Sequence, residues 1–216
     1  MSDAELSPPA NPAAEAAAPA RKRPKPGERR VQILQALAMM LEQPGAERIT
    51  TAALAARLEV SEAALYRHFA SKAQMFEGLI EFIEQSVFTL VNQIQERDQG
   101  AEGGEPGARQ AARIVTMLVQ FAEKNPGMTR VMVGDALVFE NERLQQRMNQ
   151  FFDKIESTLK QCLRGAEDGS ATPTLDAQVR AAMLTAFVVG RLQRFARSGF
   201  RRSPSEHLEA SLALML

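Results

Sequence analysis

Between Ile49 and Phe69 the sequence is written to make two short helices that meet at a tight turn. Thr50 or Thr51 offers a hydroxyl to the open backbone amides at the start of one helix, and Ser61 does the same for the next. Leu54 and Leu58 stand one turn apart in the first, and Leu65 and Phe69 share a face in the second. Small Ala55 permits close approach, and Val60 in the turn can fill the angle between the helices. With Leu65 and Phe69 turned inward, about 100° per residue puts Ala63 and Arg67 opposite, flanked by Ala64 and Tyr66. That outward face is slim and carries hydrogen-bond donors, which suits the major groove of duplex DNA. Helix N-termini add amides for phosphate. A plain helical hairpin without a nucleic-acid role has the same apolar pattern, so charge has to separate the two.

The formal net charge of the 216 residues is zero, but it is unevenly placed. Residues 1–20 hold three acids and no base, whereas residues 21–72 hold ten bases against five acids. A basic block beside a short two-helix unit points to a local polyanion contact. Arg21, Lys22, Arg23 and Lys25 form an arm just ahead of the first helix. Cys162 is the only cysteine, so no intramolecular disulfide can form, and a reducing compartment is the easier reading. The N-terminus lacks the apolar core of a signal peptide, and stretches such as Met183–Val189 are too short to span a bilayer. The expectation is a cytoplasmic protein with no membrane association.

Periodicity predicts an all-α chain. Residues 1–27, rich in Ala, Pro and then Arg and Lys, bury too little apolar surface to offset ordering and are expected to be disordered. A first helix is expected over Glu28–Gln43, with Val31, Leu34, Leu37, Ala38 and Leu41 inward and Pro44-Gly45 as its stop. Ser71, spaced from Gln74 as in a capping box, opens a long helix to about Arg97. Further helices are expected near 108–124, 128–139, 141–164, 174–198 and 204–216. The predicted organisation is a disordered arm (1–27), a helix-turn-helix DNA-binding domain (28–72) and a helical dimerisation and partner-binding domain (73–216).

Residues 28–82 resemble the DNA-binding head of the TetR (tetracycline-repressor-like) family through Thr50-Thr51, Val60-Ser61, Tyr66, Phe69 and Lys72. Arg48–Thr51, Ser61–Phe69, Ser71-Lys72, Met75-Phe76, Leu79–Glu84, Asn125–Arg130 and Ala136–Glu140 are similar to the nucleoid-occlusion division inhibitors of that family. The proline-rich extension departs from the pattern. The resemblance implies a homodimer that binds chromosomal palindromes, one dimer or more per site. Bound there, it would act on polymers of the tubulin-like division GTPase FtsZ over the nucleoid. DNA contacts are expected from the basic arm, on its charge, and from Thr50, Thr51, Ser61, Ala63, Tyr66, Arg67, His68 and Lys72. Thr51, Tyr66 and Lys72 are expected mainly on phosphates and Arg67 at base edges. Partner contacts are expected at Phe82, Met117, Lys124 and Asn125, with Lys124 facing an acidic segment. Asn125-Pro126-Gly127 reads equally as a simple helix stop.

No catalytic function is expected. His68, Cys162 and His207 do not give a nucleophile beside a base, metal-ligand spacing is absent, and no cofactor is implied. Gly103-Gly104 sits among acids, the wrong sign for a phosphate loop. Ala182, Ala186 and Gly190 recur every four residues beside Leu175, Val179 and Met183, a register that lets two helices approach closely. In the resembled family the last long helices of two subunits form a four-helix interface, so these are the expected dimer contacts. The bland reading is a tightly packed internal helix. Phe76, Phe82, Ile83, Leu118, Phe121 and Met132 are expected as core rather than as the lining of an inducer cavity, and no small-molecule ligand is expected. A ligand-responsive repressor is the competing reading, and a structural helical dimer a more distant one.

Overall fold

The computed structural model describes residues 27–43, 49–98, 106–164 and 173–216. The basic arm Arg21–Lys25, the Pro44-Gly45 stop, Arg48 and Gly103-Gly104 lie outside the described residues. The helices are α1 (Glu28–Leu41), α2 (Thr51–Arg57), α3 (Glu62–Tyr66), α4 (Lys72–Asp98) and α5 (Pro106–Lys124). They continue as α6 (Pro126–Met132), a 3₁₀ turn (Asp135–Leu137), α7 (Glu142–Arg164), α8 (Pro173–Arg197) and α9 (Leu208–Met215). No strand occurs among the described residues, and the fold is all-α, as expected.

Helix α2 packs on α1 and α3, and α1 packs on α4, forming a head. The bundle below it is built on α7 against α8, with α5 packed on α4, α7 and α8. Its interior is apolar: Ile83, Val87, Ile114, Leu118, Phe151 and Leu159 are among its fully buried side chains. The apolar core runs without a break from Leu37, Leu54 and Phe69 in the head into the bundle. Cys162 is buried in it, a small apolar side chain in effect.

Helix α1 turns differently from the expected face. Val31 is half exposed, and the buried stripe is Ile33, Ala36, Leu37, Ala38 and Leu41. The reason is tertiary: α1 is covered by α2 and α4 and also by α6, so its apolar arc is wider and rotated. Helix α6 reaches α1 through Gly127, where an added Cβ would lie 1.9 Å from the Ala38 carbonyl oxygen. Pro126 is a first-turn proline, so Asn125-Pro126-Gly127 both ends α5 and begins α6. The kink between them is satisfied internally. Thr129, fully buried, donates its hydroxyl to the Ala122 carbonyl at 2.8 Å, and the Asn125 amide donates to the Phe121 carbonyl at 2.7 Å.

Two expected helices are broken. The run near 128–139 stops at Met132, because Gly134 takes a left-handed conformation (φ 84°) before the 3₁₀ turn. The run near 204–216 begins only at Leu208, after His207 at φ 53°. Arg191 holds that C-terminal strap. Its guanidinium donates to the carbonyls of Pro204 (2.8 Å) and Glu206 (2.6 Å) and to the Ser211 hydroxyl (3.0 Å), above the Phe187 ring. Burial, and then the charge of Arg194, lower the Arg191 pKa from its ordinary value, with Glu206 opposing them.

Candidate nucleic-acid interface

The two short helices form as their caps dictate. The Thr50 hydroxyl accepts from the Ala53 amide at 3.1 Å, and the Ser61 hydroxyl accepts from the Ala64 amide at 3.3 Å. Leu54, Ala55, Leu65 and Phe69 are buried, and Val60 packs against the core at the turn. Glu59 in that turn sits at φ 54°, a left-handed position for a residue that is not glycine. The opposite face of α3 is open: Ala63, Tyr66, Arg67 and His68 are all exposed. This is the slim, donor-bearing face expected from the spacing, with Arg67 at its C-terminal end.

Three features of the head were not legible in the sequence. The Thr51 hydroxyl donates to a Glu62 carboxylate oxygen at 2.6 Å, tying α2 to α3 and occupying the donor assigned to phosphate. Arg30 stacks 4.2 Å from the Phe69 ring centroid and donates to the His68 carbonyl, so α1 braces the end of α3. Lys72, also assigned to phosphate, forms an ion pair with Glu140, whose side chain is largely buried. Arg143 with Glu77 and Arg147 with Glu84 continue that row of pairs along α4. The partners of Thr51 and Lys72 are 11 and 68 residues away, beyond the reach of helical spacing. Gln74 departs slightly from a capping box: its amide nitrogen meets the Ser71 hydroxyl, but its side chain accepts from Ala70.

On the body, Phe82 is 46% exposed, so it is not core, whereas Phe76, Ile83, Leu118 and Met132 are buried. Phe121 packs against the core from a half-buried position. Lys124 is exposed and Asn125 half-buried. Met117 lines a groove between α5 and α9 together with Ala112, Leu208, Leu212 and Leu216. On α8 an apolar stripe stands uncovered in the single protomer: Leu175, Val179 and Met183 are 59%, 48% and 54% exposed. Ala182 and Gly190 are half-buried and Ala186 is exposed within it, and nothing lies within 4 Å of where a Gly190 Cβ would be.

A helix-turn-helix head on a helical bundle defines a class of DNA-binding regulators, and residues 33–79 match the family described as bacterial regulatory proteins, tetR family. Residues 109–216 match the tetracyclin repressor-like C-terminal domain. The chain is 50% identical to the nucleoid occlusion factor SlmA of Aliivibrio fischeri, over 89% of this chain and 96% of that one. It is 48% identical to the SlmA of Vibrio vulnificus, over 88% and 95%. The chain therefore belongs to the SlmA family of nucleoid occlusion factors, DNA-binding proteins rather than enzymes. Its fold is shared more widely. The transcriptional regulator FadR of Bacillus subtilis, solved in complex with stearoyl-CoA, superimposes with a TM-score of 0.65 at 13% identity, covering 86% of this chain and 96% of that one.

Proposed function

We propose that the protein acts as a homodimer on palindromic chromosomal DNA and, bound there, antagonises FtsZ polymer assembly over the nucleoid. The observation that carries the DNA part is the open α3 face of Ala63, Tyr66, Arg67 and His68, capped and braced on a buried Leu65–Phe69 seam. Arg67 approaches base edges, and its replacement by alanine is expected to relax preference at one base pair by about 1–3 kcal/mol. Lys72→Ala is expected to weaken binding to every sequence, provided phosphate draws the ammonium from Glu140. Titrations at fixed salt decide the assignment, and unchanged affinity in both variants removes it.

Partner capture falls on the junction of α4 and the end of α5. Phe82 is an exposed aromatic and Lys124 an exposed cation there, which supports an amphipathic acidic segment as ligand. A Lys124→Glu, Asn125→Ala double variant is expected to keep specific DNA binding, to lose DNA-stimulated capture of FtsZ, and to lose its block on division when overproduced. Normal capture by that variant places the surface elsewhere. A wild type that never captures FtsZ, but releases DNA to an inducer, gives the repressor reading instead.

A further inference from the structure

The C-terminal end of α8 carries a charge cluster that neither the recognition face nor the partner surface uses. Arg194, Arg197, Arg201 and Arg202 are all exposed. None of the four has an ion-pair partner among the described residues. The acids Glu123 and Glu206 lie nearby; the Glu206 carboxylate is exposed beside His207 and shares the concavities of Arg194, Arg201 and Arg202 without an ion pair to any of them. Glu123 accepts from the hydroxyls of Ser203 and Ser205, and Glu206 lies on the strap that Arg191 holds by its backbone. A helix C-terminus favours one or two cations in its last turn. Arg201 and Arg202 lie beyond that turn, and Arg194 already opposes the charge of Arg191.

The cluster's place in the fold is informative. Gln178 near the start of α8 bonds Glu156 and Lys160 near the end of α7, so the two helices are antiparallel. The other end of α8 therefore lies beside the start of α7, where Arg143 and Arg147 grip α4 just below the head. Phe200, just past α8, stacks under Arg130 of α6, and α6 is the helix that presses Gly127 onto α1. The cluster thus sits on the head end of the body. Arg194 and Arg202 share one concavity with Ala186 and Gly190, so it also adjoins the uncovered α8 stripe. Two protomers paired through that stripe bring two such clusters together near the two-fold axis, between the heads.

We infer that this arginine cluster is a second DNA contact, which draws in the phosphate backbone of the segment between the two half-sites. The inference rests on the reading that the dimer straddles a palindrome. Its recognition is by charge alone, so it adds affinity without sequence preference.

The test uses the full-length protein and an R197A/R201A/R202A variant that leaves the Arg191 clamp intact. Binding is titrated across a salt series against a duplex the protein enriches from a random pool and against an unrelated duplex of equal length. The expected result is an affinity loss of about tenfold or more on both duplexes at low salt, with unchanged dimerisation and thermal unfolding. The slope of log K against log salt is expected to fall by about 0.9 for each phosphate the variant no longer neutralises. If the triple variant misfolds, R201A and R202A singly, both beyond the helix end, carry the same comparison with smaller slope changes. An unchanged slope in folded variants overturns the inference. So does loss of salt-sensitive FtsZ capture with DNA binding intact, which makes the cluster a docking site for an acidic protein segment. Failure of the wild type to bind either duplex strikes instead at the DNA reading itself.

Discussion

Replacing Ala186 by arginine is expected to turn the protein into a monomer and to weaken palindrome binding by about 10²–10⁴-fold, the avidity that linking two half-site contacts supplies. Ala186 is exposed in the single protomer, on a stripe where Leu175, Val179 and Met183 are all about half exposed or more. Three large apolar side chains in water along one helix form the kind of contiguous patch that a second subunit covers. The substitution sets a guanidinium in the middle of the stripe, within a concavity that already holds Arg191, Arg194 and Arg202. Pairing two such faces would bury unpaired like charges. The fold of the protomer is expected to survive, because the site has room and the helix tolerates arginine. Sedimentation and DNA titration check the two effects together. A fully dimeric, well-folded Ala186→Arg protein shows that the subunits meet elsewhere.

Gly127→Ala is expected to destabilise the protein more than any other glycine-to-alanine change among the described residues. The added carbon would lie 1.9 Å from the Ala38 carbonyl oxygen and 2.8 Å from its carbon, atoms of helix backbone that cannot rotate away. Either α6 or α1 has to move, and α1 carries the buried stripe Ile33–Leu41 that holds the head together. Overpacking of this kind costs about 3 kcal/mol. For a chain of this size that is a fall of about 6–12 °C in Tm. Thermal unfolding checks it, and a Tm within about 2 °C of the wild type shows that α6 does not press so closely on α1. Part of the penalty is expected as altered DNA binding, since the displaced element braces α3 through Arg30.

Much of the local structure was written in the sequence because it depends on neighbours a few residues apart. The hydroxyls of Thr50 and Ser61 cap the helices that follow them, and a turn at Val60 leaves Leu65 and Phe69 inward with Ala63 and Arg67 outward. Helices α5, α7 and α8 follow from apolar periodicity that no strand could bury. The stripe on α8 was also legible as small residues in register, although only its exposure in the folded protomer distinguishes an outer face from a tightly packed inner one. Which arc of α1 is buried was decided by α6, an element almost a hundred residues away, so Val31 is exposed and Ile33 is not. Separation along the chain also hid the partners of Thr51 and Lys72, 11 and 68 residues away. Glu62 and Glu140 meet them only once α2 crosses α3 and the 3₁₀ turn returns to α4. In the sequence the arginines at 194–202 stand without a motif in a chain of zero formal net charge. Antiparallel packing of α8 on α7 carries them to the head end of the molecule, because a helix that begins far from the head has to finish beside it.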